Sequence, residues 1–111
     1  MVAIIDAQRS DLESLCRKHR VRRLEVFGSA ADGTFDPSRS DIDFLVEFFP
    51  SEPSMAFDAY FGLLKDLEAL FERKIDLVDP ESIRNPFVLR RVNESRRLIY
   101  EALLVSAGGT A

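Results

Sequence analysis

At 111 residues, 46% hydrophobic and 31% charged, the chain is sized for one globular domain with a modest core and is too apolar for a disordered segment. A net charge of −4 argues against general attraction to nucleic acid, and the single cysteine, Cys16, excludes an internal disulfide or a cysteine-based metal cluster. No apolar run approaches the roughly 20 residues that span a bilayer. The start, Met1 to Asp6, lacks the pattern of a secretion signal, so a cytoplasmic protein is expected.

From Asp6 to His19, the residues Leu12, Leu15, Cys16 and His19 recur at helical spacing, and Ser10 with Glu13 has the form of a capping box. Leu24 to Phe27 reads as a short strand ending at Gly28. Asp41 to Phe48 alternates and is rich in Ile, Phe, Leu and Val, which predicts a second strand, broken at Pro50 and Pro53. Over Ser54 to Arg73, Phe57, Tyr60, Phe61, Leu64, Leu67 and Phe71 mark one face of an amphipathic helix. Ile75 to Val78 is a third strand. Asn85-Pro86 suits a helix start, with Asn as cap, and a final helix is predicted over Phe87 to Leu104. Residues 1–105 are expected to form a single domain and the small, polar 106–111 a frayed tail. The fold class expected is α/β of the α+β kind, a small mixed sheet flanked by helices.

Charge is uneven. Arg17 to Arg23 is a basic cluster, Arg84, Arg90, Arg91, Arg96 and Arg97 make the C-terminal part basic, and Glu47 to Glu72 is mostly acidic. Solvated faces account for this pattern; the sharper alternative is a basic surface that meets an acidic partner, RNA or a nucleotide tail. His19, the only histidine, falls on the apolar side of its helix and reads as a packed residue. Tyr60 and Tyr100 read as core or interface residues.

The residues that carry chemistry are Gly28-Ser29, Asp41-Ile42-Asp43 and Asp76. Alternation puts Asp41 and Asp43 on one face of a strand, about 7 Å apart along the backbone, with Ile42, Phe44 and Val46 turned to the core. Adjacent carboxylates on an apolar strand call for a compensating cation. Magnesium suits them, since it takes oxygen ligands and is commonly shared with substrate phosphates. If the third strand lies beside the second, Asp76 completes a carboxylate set able to hold two metals. Gly28 lets backbone approach a phosphate without a Cβ in the way, and Ser29 adds a hydroxyl at the start of a short turn of helix that Gly33 would end. A lone D-x-D or a lone Gly-Ser means little. Their order, with an Asp in a third strand, is far less common. A calcium loop over Asp36 to Asp43 lacks its Gly and terminal Glu, and no Gly-Lys-Ser/Thr is present for a P-loop.

Val26-Phe27-Gly28-Ser29, Ser40 to Phe48 and Lys74 to Val78 together resemble the minimal nucleotidyltransferases of the DNA polymerase β-like superfamily, over nearly the whole chain. The resemblance implies that Asp41, Asp43 and Asp76 are catalytic and bind Mg2+, that Asp76 is the base for the acceptor hydroxyl, and that Gly28 and Ser29 contact the triphosphate of ATP. It also implies a partner, a HEPN-type toxin, to which this protein is the antitoxin of a toxin–antitoxin pair, transferring AMP to a tyrosine hydroxyl. Homo- or hetero-oligomers are both compatible with it.

Many relatives carry two arginines where this chain reads Ala30-Ala31-Asp32, which motivates a second reading, a non-catalytic antitoxin that neutralises its partner by binding alone. A third is transfer to a small molecule of the aminoglycoside type. That reading and an RNA-tailing enzyme both call for an additional substrate-binding region, and the negative charge further disfavours RNA. The carboxylate set on so short a chain favours an acceptor supplied by another polypeptide.

Overall fold

A computed structural model describes residues 3–32, 36 and 41–102. Its elements run α1 (Ala3–Ala7), α2 (Arg9–Lys18), β1 (Val21–Phe27), α3 (Ser29–Asp32), β2 (Ile42–Phe48), α4 (Pro53–Phe71), β3 (Ile75–Val78), a 3-10 turn (Pro80–Ser82), α5 (Pro86–Ser95) and β4 (Arg97–Glu101). The strands form one mixed sheet in the order β3-β2-β1-β4. β1 is antiparallel to both β2 and β4, whereas β2 and β3 are parallel, joined by α4 as the crossover that a parallel pair requires.

Alternation divides the sheet into two faces. Leu24 and Val26 of β1, Ile42, Phe44 and Val46 of β2, Ile75 and Leu77 of β3 and Ile99 of β4 pack into one core with Ile5, with Leu12 and Cys16 of α2, and with Leu63, Leu67 and Phe71 of α4. Burial there pushes the Cys16 thiol up to about 12, against the opposing pull of Arg17, so it stays protonated and inert. Tyr60 hangs its hydroxyl on the Leu77 carbonyl at 2.6 Å, the structural role expected of it. The residues between, Glu25, Asp43, Leu45 and Asp76, belong to the opposite face, where α5 lies.

Four expectations need correction. The first helix is broken at Gln8, and the cap of α2 has no side-chain hydrogen bond, so the Ser10–Glu13 capping box does not form. β1 begins at Val21, inside the basic run, because Val21 is buried and Arg22 and Arg23 find carboxylates on neighbouring strands. On α4, Phe57 and Phe61 stand 62% and 49% exposed and meet each other with their rings tilted, while Leu63 is buried. Tyr60, Leu63, Leu67 and Phe71 form the stripe of α4 that meets the sheet and core, and Phe57 and Phe61 fall to the side of it. The last helix stops at Ser95: Arg96 is extended, and Arg97–Glu101 pairs with β1 instead of continuing the helix. Asn85 does cap α5, accepting from the amides of Phe87 and Val88 at 2.8 and 3.3 Å. The expected helix positions beyond Ala102, the tail 106–111, Gly33 and Ser40 lie outside the described residues.

Much of the basic cluster is spent within the molecule. Arg22 pairs with Glu47, Arg23 with Glu101 at 2.7 Å, and Lys18 with Asp66 at 3.0 Å. His19, 12% exposed, sets Nε2 2.7 Å from the same Asp66 carboxylate, the packed role expected of it. Hydrogen bonds from His19 and Lys18 hold the Asp66 carboxyl below its ordinary range. On the α5 side, Glu25 is 4% exposed and takes a two-point contact from Arg96 at 3.0 and 2.5 Å, with Arg23 at 3.4 Å. Burial alone would raise its pKa; the two guanidiniums outweigh that and lower it. Among the described residues no helix is long and apolar enough to cross a membrane.

Candidate active site

The parallel register of β2 and β3 sets Asp43 directly beside Asp76. This follows from the sequence pattern: both strands place an aspartate between core residues, Ile42 and Phe44 on one, Ile75 and Leu77 on the other, so aligning the core positions aligns the carboxylates. Burial, then the hydrogen bond to Asp76, then the charges of Asp76 and Asp41 push the Asp43 carboxyl up to about 7, with Lys74 pulling weakly the other way. The shift reflects carboxylates crowded side by side at the end of two parallel strands. Asp41 precedes β2 on the same face and has Lys74 Nζ 3.9 Å from Oδ2.

Gly28 closes the site on the β1 side. It ends β1, is in the left-handed region at φ +71°, and turns the chain into α3. A Cβ there would stand 2.6 Å from Asp43 Oδ2, so the backbone and the carboxylate are in the close approach that only glycine permits. The Gly28 carbonyl accepts from the Ala31 amide at 3.0 Å, and the Gly28 amide donates to Ser95 Oγ at 3.0 Å. Ala30 and Ala31 of α3 are buried in the core, so the turn is anchored by its own small residues. Ser29, half-buried, opens α3.

A cavity of about 510 Å³ opens beside Gly28 and Asp43, walled by Phe27 and by Val88, Arg91, Val92, Glu94 and Ser95 of α5. The volume is that of a small-molecule site.

Among the described residues no three His, Cys, Asp or Glu side chains gather about one point in the manner of a preformed metal cage. The donor set nevertheless fits magnesium. It offers carboxylate oxygens only, and magnesium is usually held by one or two carboxylates together with substrate phosphates rather than by an all-protein cage. Asp43 and Asp76 lie side by side in register with Asp41 two residues away, a concentration of carboxylates that a cation would offset.

Residues 10–99 match the family model described as the nucleotidyltransferase domain. The chain belongs to the nucleotidyltransferase domain family. This nucleotidyltransferase is 36% identical over 100 residues to a Methanocaldococcus jannaschii protein provisionally named a protein adenylyltransferase, a match covering 82% of this chain and 95% of that one. A solved structure provisionally described as a minimal nucleotidyltransferase shares 29% identity at a TM-score of 0.66, covering 84% of this chain and 90% of that one. The likeness in fold extends, at 18% identity and a TM-score of 0.58, to a chain from the complex of an MNT antitoxin with tri-AMPylated Shewanella oneidensis HEPN toxin, covering 87% of this chain and 72% of that one.

The nucleotidyltransferase thus brings Asp41, Asp43, Asp76 and Gly28 to one end of the sheet, with Ser29 next to Gly28 in sequence. Sequence reasoning missed the α5 wall. Ser95 lies 67 residues from the glycine it touches, and a Ser near a helix end gives no signal of such a contact.

Proposed function

We propose that this transferase uses magnesium and ATP to place AMP on a tyrosine hydroxyl of a HEPN-type partner protein, acting in the cytoplasm as its antitoxin. The observation that carries the reading is the Asp43–Asp76 pair set under the Gly28 turn, a carboxylate pair and a close-approach backbone in one cleft. Two likenesses support the choice of acceptor: a relative carries a provisional name as a protein adenylyltransferase, and a fold neighbour is a complex with an AMPylated HEPN toxin.

In this reading the acceptor oxygen forms a bond to the α-phosphorus, the bond from that phosphorus to the bridging oxygen breaks, and pyrophosphate leaves. Magnesium, when held by Asp41 and Asp43 with help from Asp76, would offset phosphate charge and ease ionisation of the acceptor hydroxyl. Gly28 lets the phosphate chain lie against backbone, and Ser29 donates its hydroxyl to it. Asp76 takes the acceptor proton.

The test incubates the protein, ATP and magnesium with whatever protein copurifies from native cells and weighs that partner. The expected result is a mass gain of one or more AMP units, lost with Asp41→Asn plus Asp43→Asn although the variant still binds the partner. Absence of any gain with the unaltered protein, while the partner is still neutralised, overturns the catalytic reading in favour of inhibition by contact.

A further inference from the structure

The turn from Gly28 to Asp32 reads Gly-Ser-Ala-Ala-Asp and brings no cation of its own. Asp41, Asp43 and Asp76 stand beside it, so the cleft is negative before any nucleotide arrives. A triphosphate adds several like charges to those of the three carboxylates, more than magnesium alone offsets. A protein cation beside the phosphates improves the balance.

The structure supplies cations from two directions. Lys74 is already set near Asp41, at 3.9 Å. α5 carries the rest, and most of its arginines and those just beyond are committed. Arg90 is 3.5 Å from Glu94 Oε2, Arg96 holds Glu25, and Arg97 donates to the carbonyls of Ser95 and Arg96. Arg91 differs. It lines the 510 Å³ cavity with Gly28 and Asp43, and among the described residues no carboxylate pairs with it. Glu94 shares that cavity, but its side chain is 65% exposed and solvent screens its charge. The Gly28 amide bonded to Ser95 fixes this stretch of α5 against the turn, so Arg91 is one helical turn from a point of direct contact.

The geometry points to Arg91 as the side chain that takes the phosphate chain of the nucleotide, supplying from α5 the cation that the turn lacks. This rests on the nucleotide-transfer reading above. A guanidinium donates two parallel hydrogen bonds to a phosphate, a contact that lysine replaces only in part.

The test is calorimetric titration, with magnesium, of AMP-PNP and of AMP into the unaltered protein and into Arg91→Ala, Arg91→Lys and Arg90→Ala. Arg91→Ala is expected to weaken AMP-PNP about tenfold or more, Arg91→Lys by less, and Arg90→Ala by under about twofold. AMP, with fewer phosphate charges, is expected to lose clearly less than AMP-PNP. Arg91 is exposed, and unchanged circular dichroism checks the fold. AMP-PNP binding by Arg91→Ala within about twofold of the unaltered protein overturns the assignment, as does an equal loss for AMP, and either result leaves the nucleotide-transfer reading standing. No AMP-PNP binding by the unaltered protein overturns both.

Discussion

Replacing Gly28 by alanine separates two costs that the structure superposes at one position. The first is backbone: φ is +71°, and an L-residue in that region costs about 1–2 kcal/mol relative to glycine. The second is contact. The new Cβ would lie 2.6 Å from Asp43 Oδ2, short of ordinary contact by about 0.8 Å, so the Asp43 carboxyl must turn away and surrender its hydrogen bond to Asp76. Loss of one such bond costs about 1 kcal/mol. Gly28→Ala is therefore expected to destabilise the protein by about 2–3 kcal/mol, and by only about 1–2 kcal/mol when Asp43 is already alanine. Urea unfolding of the four proteins of this cycle, followed by circular dichroism at constant pH, gives both numbers. Equal costs in the two backgrounds would refute the contact term. A cost below about 0.5 kcal/mol in both would refute the left-handed turn itself.

Two further outcomes follow from the charges. Asp43 has a carboxyl near 7 in the folded protein against an ordinary 3.8, so the folded state binds the extra proton between those values. Measured without nucleotide or metal, stability is highest on the acid side of this window and falls as pH rises through 7. Asp43→Asn keeps a donor toward Asp76 without needing a proton; discounted for the half-exposed position, it should raise stability by about 1–2 kcal/mol at pH 8 and by nothing at pH 4. Thermal melts from pH 4 to 8.5 would show the two curves converging in acid, and parallel curves would sink the idea. Arg96→Ala strips the main partner from a 4% exposed Glu25 and should cost about 3 kcal/mol, Arg23 retaining part of the interaction. Because the Glu25 pKa is lowered in the fold, that cost should shrink as pH falls through the carboxylate range, which denaturation at pH 7 and pH 3.5 would reveal.

The site was legible to the extent that its residues lie on strands whose core positions are unambiguous. Ile42, Phe44, Ile75 and Leu77 dictate which way β2 and β3 face, and the aspartates between them follow without further information. What could not be read depends on distant partners. Arg97 to Glu101 alternates only weakly and follows a good helix; it becomes a strand because β1 offers it an edge and because Glu25 draws Arg96 out of helical geometry. Phe57 and Phe61 have the spacing of core residues, yet α4 turns the stripe holding Leu63, Leu67 and Phe71 to the core and leaves those two rings outside it, a rotation that no local pattern encodes. The cavity wall at Val88, Arg91 and Ser95 depends on that same C-terminal placement.

The bond from the Gly28 amide to Ser95 also has a consequence for the order in which the protein comes into being. All three carboxylates and the glycine turn leave the ribosome before α5 and β4 do. Until those last elements dock, the turn has no clamp, and β1 presents a bare edge open to pairing with other chains. A nascent molecule thus carries every residue of the carboxylate motif without a finished cleft, and competence arrives in one late step that also moves the free edge of the sheet from β1 to β4, whose Arg97 and Glu101 make it a charged one.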